Sequence, residues 1–417
     1  MKMNKGFSSI LIIGDELLIG QITDTNSVWI GQELNMMGWE IRSKETVGDK
    51  IPAIIEAMSR MADKDQVVLV TGGLGPTSDD RTLEAMSHFF EKPLVLFPEV
   101  RENIQDYFTS RGRKVSDHHR KQFYLPEGVE ILENKVGTAP GMYMQKDGTH
   151  FFFTPGVPVE LRYIFEHHIQ PKLIEWLSGT LVQSRLFTAG IGETDLVDRL
   201  GEGLEGWPSD LSIAYLPYLG GVRLRLTANG VDRTQNEAVI SRVQEDLISR
   251  LGHHYISSDH GQWNEIIQEI MIRSNLTLGT AESCTGGYIA SRITEVPGSS
   301  GYFTGTVVSY SNMVKSFVLK VNQETLDTYG AVSKECAQEM LEGLLTLLST
   351  DVGIAVTGIA GPGGGSEEKP VGTVFVSVGN KEKSNTVRFN YRSSRQGIVE
   401  YTYHQAMYMV YKFLSTQ

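Results

Sequence analysis

The runs "SSILIIG" (8–14) and "DQVVLVTGG" (65–73) constrain this chain most, because each carries an apolar stretch without alternation and ends in glycine. A strand that is apolar at every position needs burial on both faces, which a sheet covered by helices provides. The covering helices are written beside them: "TNSVWIGQELNMMG" (25–38), with Gly38 in the stop position, and "DRTLEAMSHFF" (80–90). Strand, helix and strand in series predict a mostly parallel sheet. "THFFFTPGVPVELRYIFEHHIQPKLIEWL" (149–177) adds a strand, a Pro/Gly turn and a long helix, which closes a first domain over 1–170.

The pattern then changes. "SRLFTAGIG" reads as a strand, "ETDLVDRLGEGL" as a helix, and "DLSIAYLPYLGGVRLRLTANG" as two strands turning near Gly220 and Gly221. The helix "NEAVISRVQEDLISRLG" and the short strand "HYIS" follow. That order, β-α-β-β-α-β, predicts a small KH-like or ferredoxin-like module over 171–257, with no catalytic cluster and no basic patch, hence a spacer and packing module. From 258 to 417 the α/β pattern returns, opening with the helix "QWNEIIQEIMIRS". The expected fold class is α/β: two α/β domains with mostly parallel sheets, joined by a small α+β module. A length of 417 residues is more than one core usually holds and agrees with several domains.

Composition narrows the partners. A formal net charge of -12 repels phosphate backbones and disfavours direct nucleic-acid contact. It leaves room for a small phosphorylated ligand held by a glycine loop. Two cysteines, Cys284 and Cys336, are too few for a disulfide framework, so a reducing cytoplasm is expected. The first apolar run is broken by Asp15 and Glu16 and reads as a strand, not a signal peptide. No stretch is long and apolar enough to suggest a membrane span.

The stretch "LTLGTAESCTGGYIASRI" (276–293) places Ser283 where a strand passes into a helix. There its hydroxyl would face the free amides of a first helical turn, where a developing negative charge is favoured. Gly286 and Gly287 would let a substrate approach the backbone. For this stretch alone, a helix-capping serine with packing glycines is the simpler and preferred reading. A hydroxyl nucleophile needs a base. In "GTVVSYSNMVKSFVLKV" (305–321) Tyr310 ends a strand and Lys315 sits in the first turns of a helix capped by Ser311 or Asn312. A lysine in a partly dry cleft gives up its charge readily and serves as a base. Singly, Lys315 also reads as a solvated helix lysine and Tyr310 as a core-edge aromatic. "GIAGPGGGSEEKPVG" (358–372) lies between two strands, a long loop of the kind that forms lids and binding loops.

At the other end, "VLVTGGLGPTSDDRTLEAM" (68–86) joins a strand, a glycine loop and a helix opening, without a P-loop lysine or a G-x-G-x-x-G fingerprint. Gly72, Gly73 and Gly75 offer amides to a phosphate, and Asp79 and Asp80 offer carboxylates to a divalent cation. Asp15 and Glu16 follow the first strand, and Asp24 with Asn26 opens the next helix. Loops after parallel strands converge on one edge, where ligands bind. For Asp24 and Glu16 singly, capping explains the acid as well.

"AESCTGG", "YSNMVK" and "TGIAGPGGGSEEKPVGTV" together resemble the three signatures of the C-terminal domain of the CinA family, a nicotinamide mononucleotide deamidase domain. "GDELLIGQITDTN", "TGGLGPTSDD", "GTAPGM" and "TPGVPVE" resemble the family's N-terminal domain, related to molybdopterin-binding proteins. The resemblance implies a bifunctional hydrolase of pyridine-nucleotide recycling. Ser283 would be the nucleophile, with Tyr310 and Lys315 as base and proton relay. Thr285, Gly286 and Gly287 would serve the oxyanion or phosphate, and the loop holding Gly358, Gly361, Gly363 and Gly364 would shape the nucleotide pocket. Cys284 would be a bystander. The N-terminal domain would hydrolyse ADP-ribose to AMP and ribose 5-phosphate with a divalent metal (Mg, Mn or Co) held among Asp79, Asp80, Asp15 and Asp24, whereas the deamidase site needs no cofactor. A homodimer is the family expectation, with small nucleotides as ligands and neither nucleic acid nor membrane as partner. A molybdopterin-binding protein, or a non-catalytic partner in competence or the DNA-damage response, are the rival readings.

Overall fold

The computed structural model describes residues 6–177, 181–201, 207, 208, 210–230 and 232–415. The first 181 residues, with Gly230–Arg233, form one compact unit, and Val182–Asn229 with Thr234–Gln417 form a second.

In the first unit the strands are β1 (Gly6–Ile13), β2 (Trp39–Val47), β3 (Val67–Thr71), β4 (Leu94–Leu96), β5 (Tyr124–Pro126), β6 (Glu130–Leu132), β7 (Gly141–Lys146) and β8 (Thr149–Thr154). The main sheet runs β2-β1-β3-β8-β7-β6, while β4 and β5 pair separately. β2, β1, β3 and β8 are parallel, and β7 and β6 return antiparallel. The unbroken apolar run of β1 has a direct cause. Leu11 and Ile13 join a core with Val68, Val70 and Met86, while Ile10 and Ile12 join another with Leu34 and Phe165. Both faces are dry, so both registers are apolar. The helix Asn26–Met37 stops at Gly38, which takes φ 94. The long helix expected after β8 is interrupted: Pro158–Ile164 passes through a π turn, Phe165–Ile169, into Gln170–Trp176. Pro171 lacks the donor that a regular helix needs there, and its ring would crowd the carbonyl of His167.

The second unit opens with β9 (Val182–Thr188), β10 (Leu211–Tyr218), β11 (Gly221–Ala228) and β12 (Tyr255–Ser257), an antiparallel sheet ordered β10-β11-β9-β12. The expected helix over 193–204 runs Glu193–Leu200; residues 202–206 lie outside the described residues. This module packs on the elements that follow it, as a packing module should. Phe187 and Ile256 share a core with Ile267, Leu278, Val356 and Met407, and the Phe187 ring meets Trp263 edge-on at 5.2 Å.

The last sheet is β14 (Phe303–Val308), β13 (Leu278–Glu282), β15 (Val352–Gly358), β16 (Thr373–Gly379) and β17 (Ser384–Asn390), in that order. β14, β13 and β15 are parallel, while β16 and β17 are antiparallel additions. Both α/β sheets are therefore mixed. β7–β8 and β15–β16 are joined without a crossover helix, and a parallel pairing requires one. Among the described residues no helix is long and apolar enough to cross a membrane.

Candidate active site

β13 and β14 are adjacent and parallel, so the segments that leave them emerge on one edge of the sheet. Ser283 follows β13 directly. Ser309 and Tyr310 follow β14, and the short helix Asn312–Phe317 comes next, capped by the Ser311 hydroxyl, which accepts the Val314 amide at 3.3 Å. This turn swings Lys315 inward. Its side chain is 1% exposed, and Nζ stands 2.9 Å from Ser283 Oγ and donates to the Ser309 carbonyl at 2.6 Å. Burial lowers the Lys315 pKa, opposed by the thiols of Cys336 and Cys284 close by. A solvated helix lysine is thereby ruled out. Cys284 is buried, and burial pushes its thiol up to about 12, so it is protonated and inert near neutral pH.

The helix after Ser283 begins later than the sequence suggests. Gly286 and Gly287 take φ 62 and 97, a left-handed turn, and the helix is Tyr288–Thr294. Ser283 is therefore no N-cap. The amides that it was expected to face belong to Glu282, which is fully buried and accepts Gly287 N at 3.0 Å, Ile289 N at 3.1 Å and Ala290 N at 2.9 Å. Gly286 N donates to the Ser283 carbonyl at 3.1 Å. Neither Gly286 nor Gly287 has an amide free for an oxyanion. Glu282 lies inside the first signature, yet the sequence gives an acid at a strand end no special weight. Replacing it leaves two buried donors and one part-buried donor without acceptors, so Glu282→Ala is expected to lower unfolding free energy by roughly 3–5 kcal/mol. Denaturant titration reads this, and a loss under about 1 kcal/mol would mean that other acceptors replace the carboxylate.

Tyr310 does not join the pair. It is 63% exposed, and its hydroxyl accepts from Arg395 Nη2 at 3.1 Å. Arg395 opens the last helix, Arg395–Ser415, and its Nη1 donates to the Gly361 carbonyl at 2.7 Å. One guanidinium thus ties the 310 turn to the glycine loop, a link that no local pattern announces. Of the loop glycines, Gly358 and Gly361 serve packing: a Cβ there would fall 2.8 Å from Thr373 O and 2.5 Å from Val371. Gly363 faces open space, whereas a Cβ at Gly364, which takes φ 87, would touch Ile359 at 3.8 Å.

In the first unit, Gly72, Gly73 and Gly75 border a cleft of about 510 Å³ that Asp24, Asp80 and Glu160 also line. Glu160 stands in the "TPGVPVE" stretch but was not singled out from sequence. Burial raises its pKa against a 2.6 Å hydrogen bond from Asn134. The four acids expected to hold a metal are not gathered. Asp80 accepts Gly75 N at 2.8 Å and Thr77 N at 2.9 Å, and so pins its own loop. Asp24 accepts the Ser27 amide at 2.9 Å and the Ser27 hydroxyl, and meets Lys44 at 3.2 Å; burial alone would raise its pKa, but these partners hold it low. Asp15 and Asp79 do not line the cleft; with Glu16 they surround Asp49, whose pKa burial and these acids raise. Among the described residues no three His, Cys, Asp or Glu side chains form a group that could hold a metal ion. Asp80→Ala is expected to cost about 1–2 kcal/mol of stability whether or not a divalent ion is present. Equal stability of variant and parent in metal-free buffer would return Asp80 to the role of metal ligand.

Comparison with known proteins covers both units. Residues 9–175 match "Probable molybdopterin binding domain", 183–257 match "Damage-inducible protein CinA KH domain", and 261–414 match "CinA C-terminal domain". The CinA-like protein of Flavobacterium psychrophilum is 36% identical over 411 residues, covering 97% of this chain and 98% of that protein. The CinA-like protein of Salinibacter ruber is 39% identical over 390 residues, covering 93% and 94%. That of Cytophaga hutchinsonii is 35% identical over 397 residues, covering 95% of each. With relatives aligned along nearly the whole chain and three family models matched along it, this chain belongs to the CinA family.

Proposed function

We propose that the Ser283–Lys315 pair hydrolyses the carboxamide of nicotinamide mononucleotide, giving nicotinic acid mononucleotide and ammonia. The observation that carries this reading is a fully buried lysine amine 2.9 Å from a serine hydroxyl at the edge of a parallel sheet. Neutral Lys315 gives one N–H to the Ser309 carbonyl and keeps its lone pair for the Ser283 proton. Ser283 Oγ attacks the amide carbon, and Lys315 takes the proton and returns it to the leaving nitrogen. Ammonia departs, and water attacks the acyl-enzyme with Lys315 again as base. Incubating the full chain with nicotinamide mononucleotide and following ammonia and the acid product tests this; no ammonia from this substrate sinks the assignment.

A second reading concerns the first unit: binding of ADP-ribose and its hydrolysis to AMP and ribose 5-phosphate. Its support is the 510 Å³ cleft at the ends of β1 and β3, bordered by the 72–75 glycine loop and large enough for a nucleotide. Calorimetry with ADP-ribose, and product analysis with and without Mg, Mn or Co, test it. Neither binding nor cleavage, with a pterin bound instead, favours a molybdopterin-binding role for this unit.

A further inference from the structure

The amides around the nucleophile can be accounted for one by one. Ser283 N donates to the Val356 carbonyl at 2.9 Å, Gly286 N to Ser283 O, Tyr288 N to Thr285 O at 3.1 Å, and Ser291 N to Gly287 O at 2.9 Å. Glu282 takes those of Gly287, Ile289 and Ala290. Between 283 and 291 this leaves Cys284, whose amide has only its own thiol beside it, and Thr285. Both residues are buried, and the Thr285 hydroxyl is itself buried with no hydrogen-bond partner. Buried N–H groups without acceptors are rare in folded proteins and point to a group that arrives later.

We propose that the backbone amides of Cys284 and Thr285 form the oxyanion hole of this site, and that Glu282 positions the turn by occupying the amides that follow. The inference rests on the Ser–Lys reading above. As the Oγ–C bond forms, the carbonyl π pair moves onto oxygen, and the two donors next to the nucleophile receive that charge. The helix start cannot do so, because the side-chain oxygens of Glu282 already occupy its amides. Fixed donors of this kind act through preorganisation, and losing one costs about 10²–10³ in kcat.

The test replaces single amides by esters in the full chain, incorporating the α-hydroxy counterparts of Cys284 and Thr285, with Ser291 as the comparison. An ester removes the N–H and leaves the side chain. Each variant is checked by thermal unfolding, then assayed for deamidation and for labelling by a fluorophosphonate. In labelling, Ser283 Oγ bonds to phosphorus, the P–F bond breaks, fluoride leaves and Lys315 takes the proton; the oxyanion demand is the same, and no nucleotide is needed. Esters at 284 or 285 should slow both reactions by about 10²–10³ with KM little changed, and the ester at 291 by no more than about threefold. Esters at 284 and 285 as reactive as that at 291 would overturn the proposal. A parent protein that is labelled but does not deamidate nicotinamide mononucleotide sinks only the substrate assignment, since labelling still decides the oxyanion hole. A parent inert to both overturns both.

Discussion

Ser283→Ala is expected to abolish ammonia release, by about 10³-fold or more, while Cys284→Ala keeps activity within about threefold. The side chains are neighbours in sequence but not in chemistry. Ser283 Oγ faces a buried amine at 2.9 Å. The thiol of Cys284 is pushed up to about 12 by burial, which removes the thiolate that a cysteine nucleophile requires. The Ser283→Ala protein should keep its melting temperature, since only one oxygen at the site's edge is lost. Steady-state ammonia assays with thermal unfolding of both variants check this. An inactive Cys284→Ala protein beside an active Ser283→Ala protein would exchange the two roles.

Lys315→Met and Lys315→Arg are both expected to lose deamidation by about 10³–10⁴-fold. Arginine keeps the cation but cannot give up a proton to become a base. In the parent, the rate should rise with pH through an apparent pKa below the value of about 10.4 for a free lysine, because burial disfavours the ammonium form. The same shift appears in stability. With its folded pKa lowered, Lys315 binds fewer protons in the folded than in the unfolded chain between the two pKa values. Its contribution is fully present above about 10.4 and declines as pH falls toward the lowered folded pKa. The parent should therefore lose stability relative to Lys315→Met as pH drops from 10 to 7. Denaturant titrations at both pH values measure this. A pH-independent stability difference, or near-normal turnover by Lys315→Arg, would remove Lys315 as the base.

Much of the architecture is local in origin and was legible. The unalternating apolar runs of β1 and β3 announced burial on two faces; Gly38 marked a helix stop; and the β-α-β-β-α-β order within 171–257 predicted the middle sheet. These patterns record backbone periodicity and the sign of burial, which neighbouring residues share. Shared cores are not local: nothing in "SRLFTAGIG" says that Phe187 will pack on Trp263.

The site divides the same way. By itself, the sequence determined which residue types stand at the strand ends: a serine after β13, a lysine in the short helix after β14, and a glycine loop after β15. Only the tertiary structure decided what each does. Lys315 became a buried partner of Ser283, 32 positions away, because parallel strand order sets both on one edge. Tyr310 turned outward to Arg395, 85 positions away. Glu282, a plain acid in sequence, took the helix amides that Ser283 was expected to face. Of the N-terminal acids, Asp80 became a loop pin and Asp24 a partner of Ser27 and Lys44. A carboxylate's role is set by which donors reach it first, and those donors are fixed by the folded chain rather than by spacing along it.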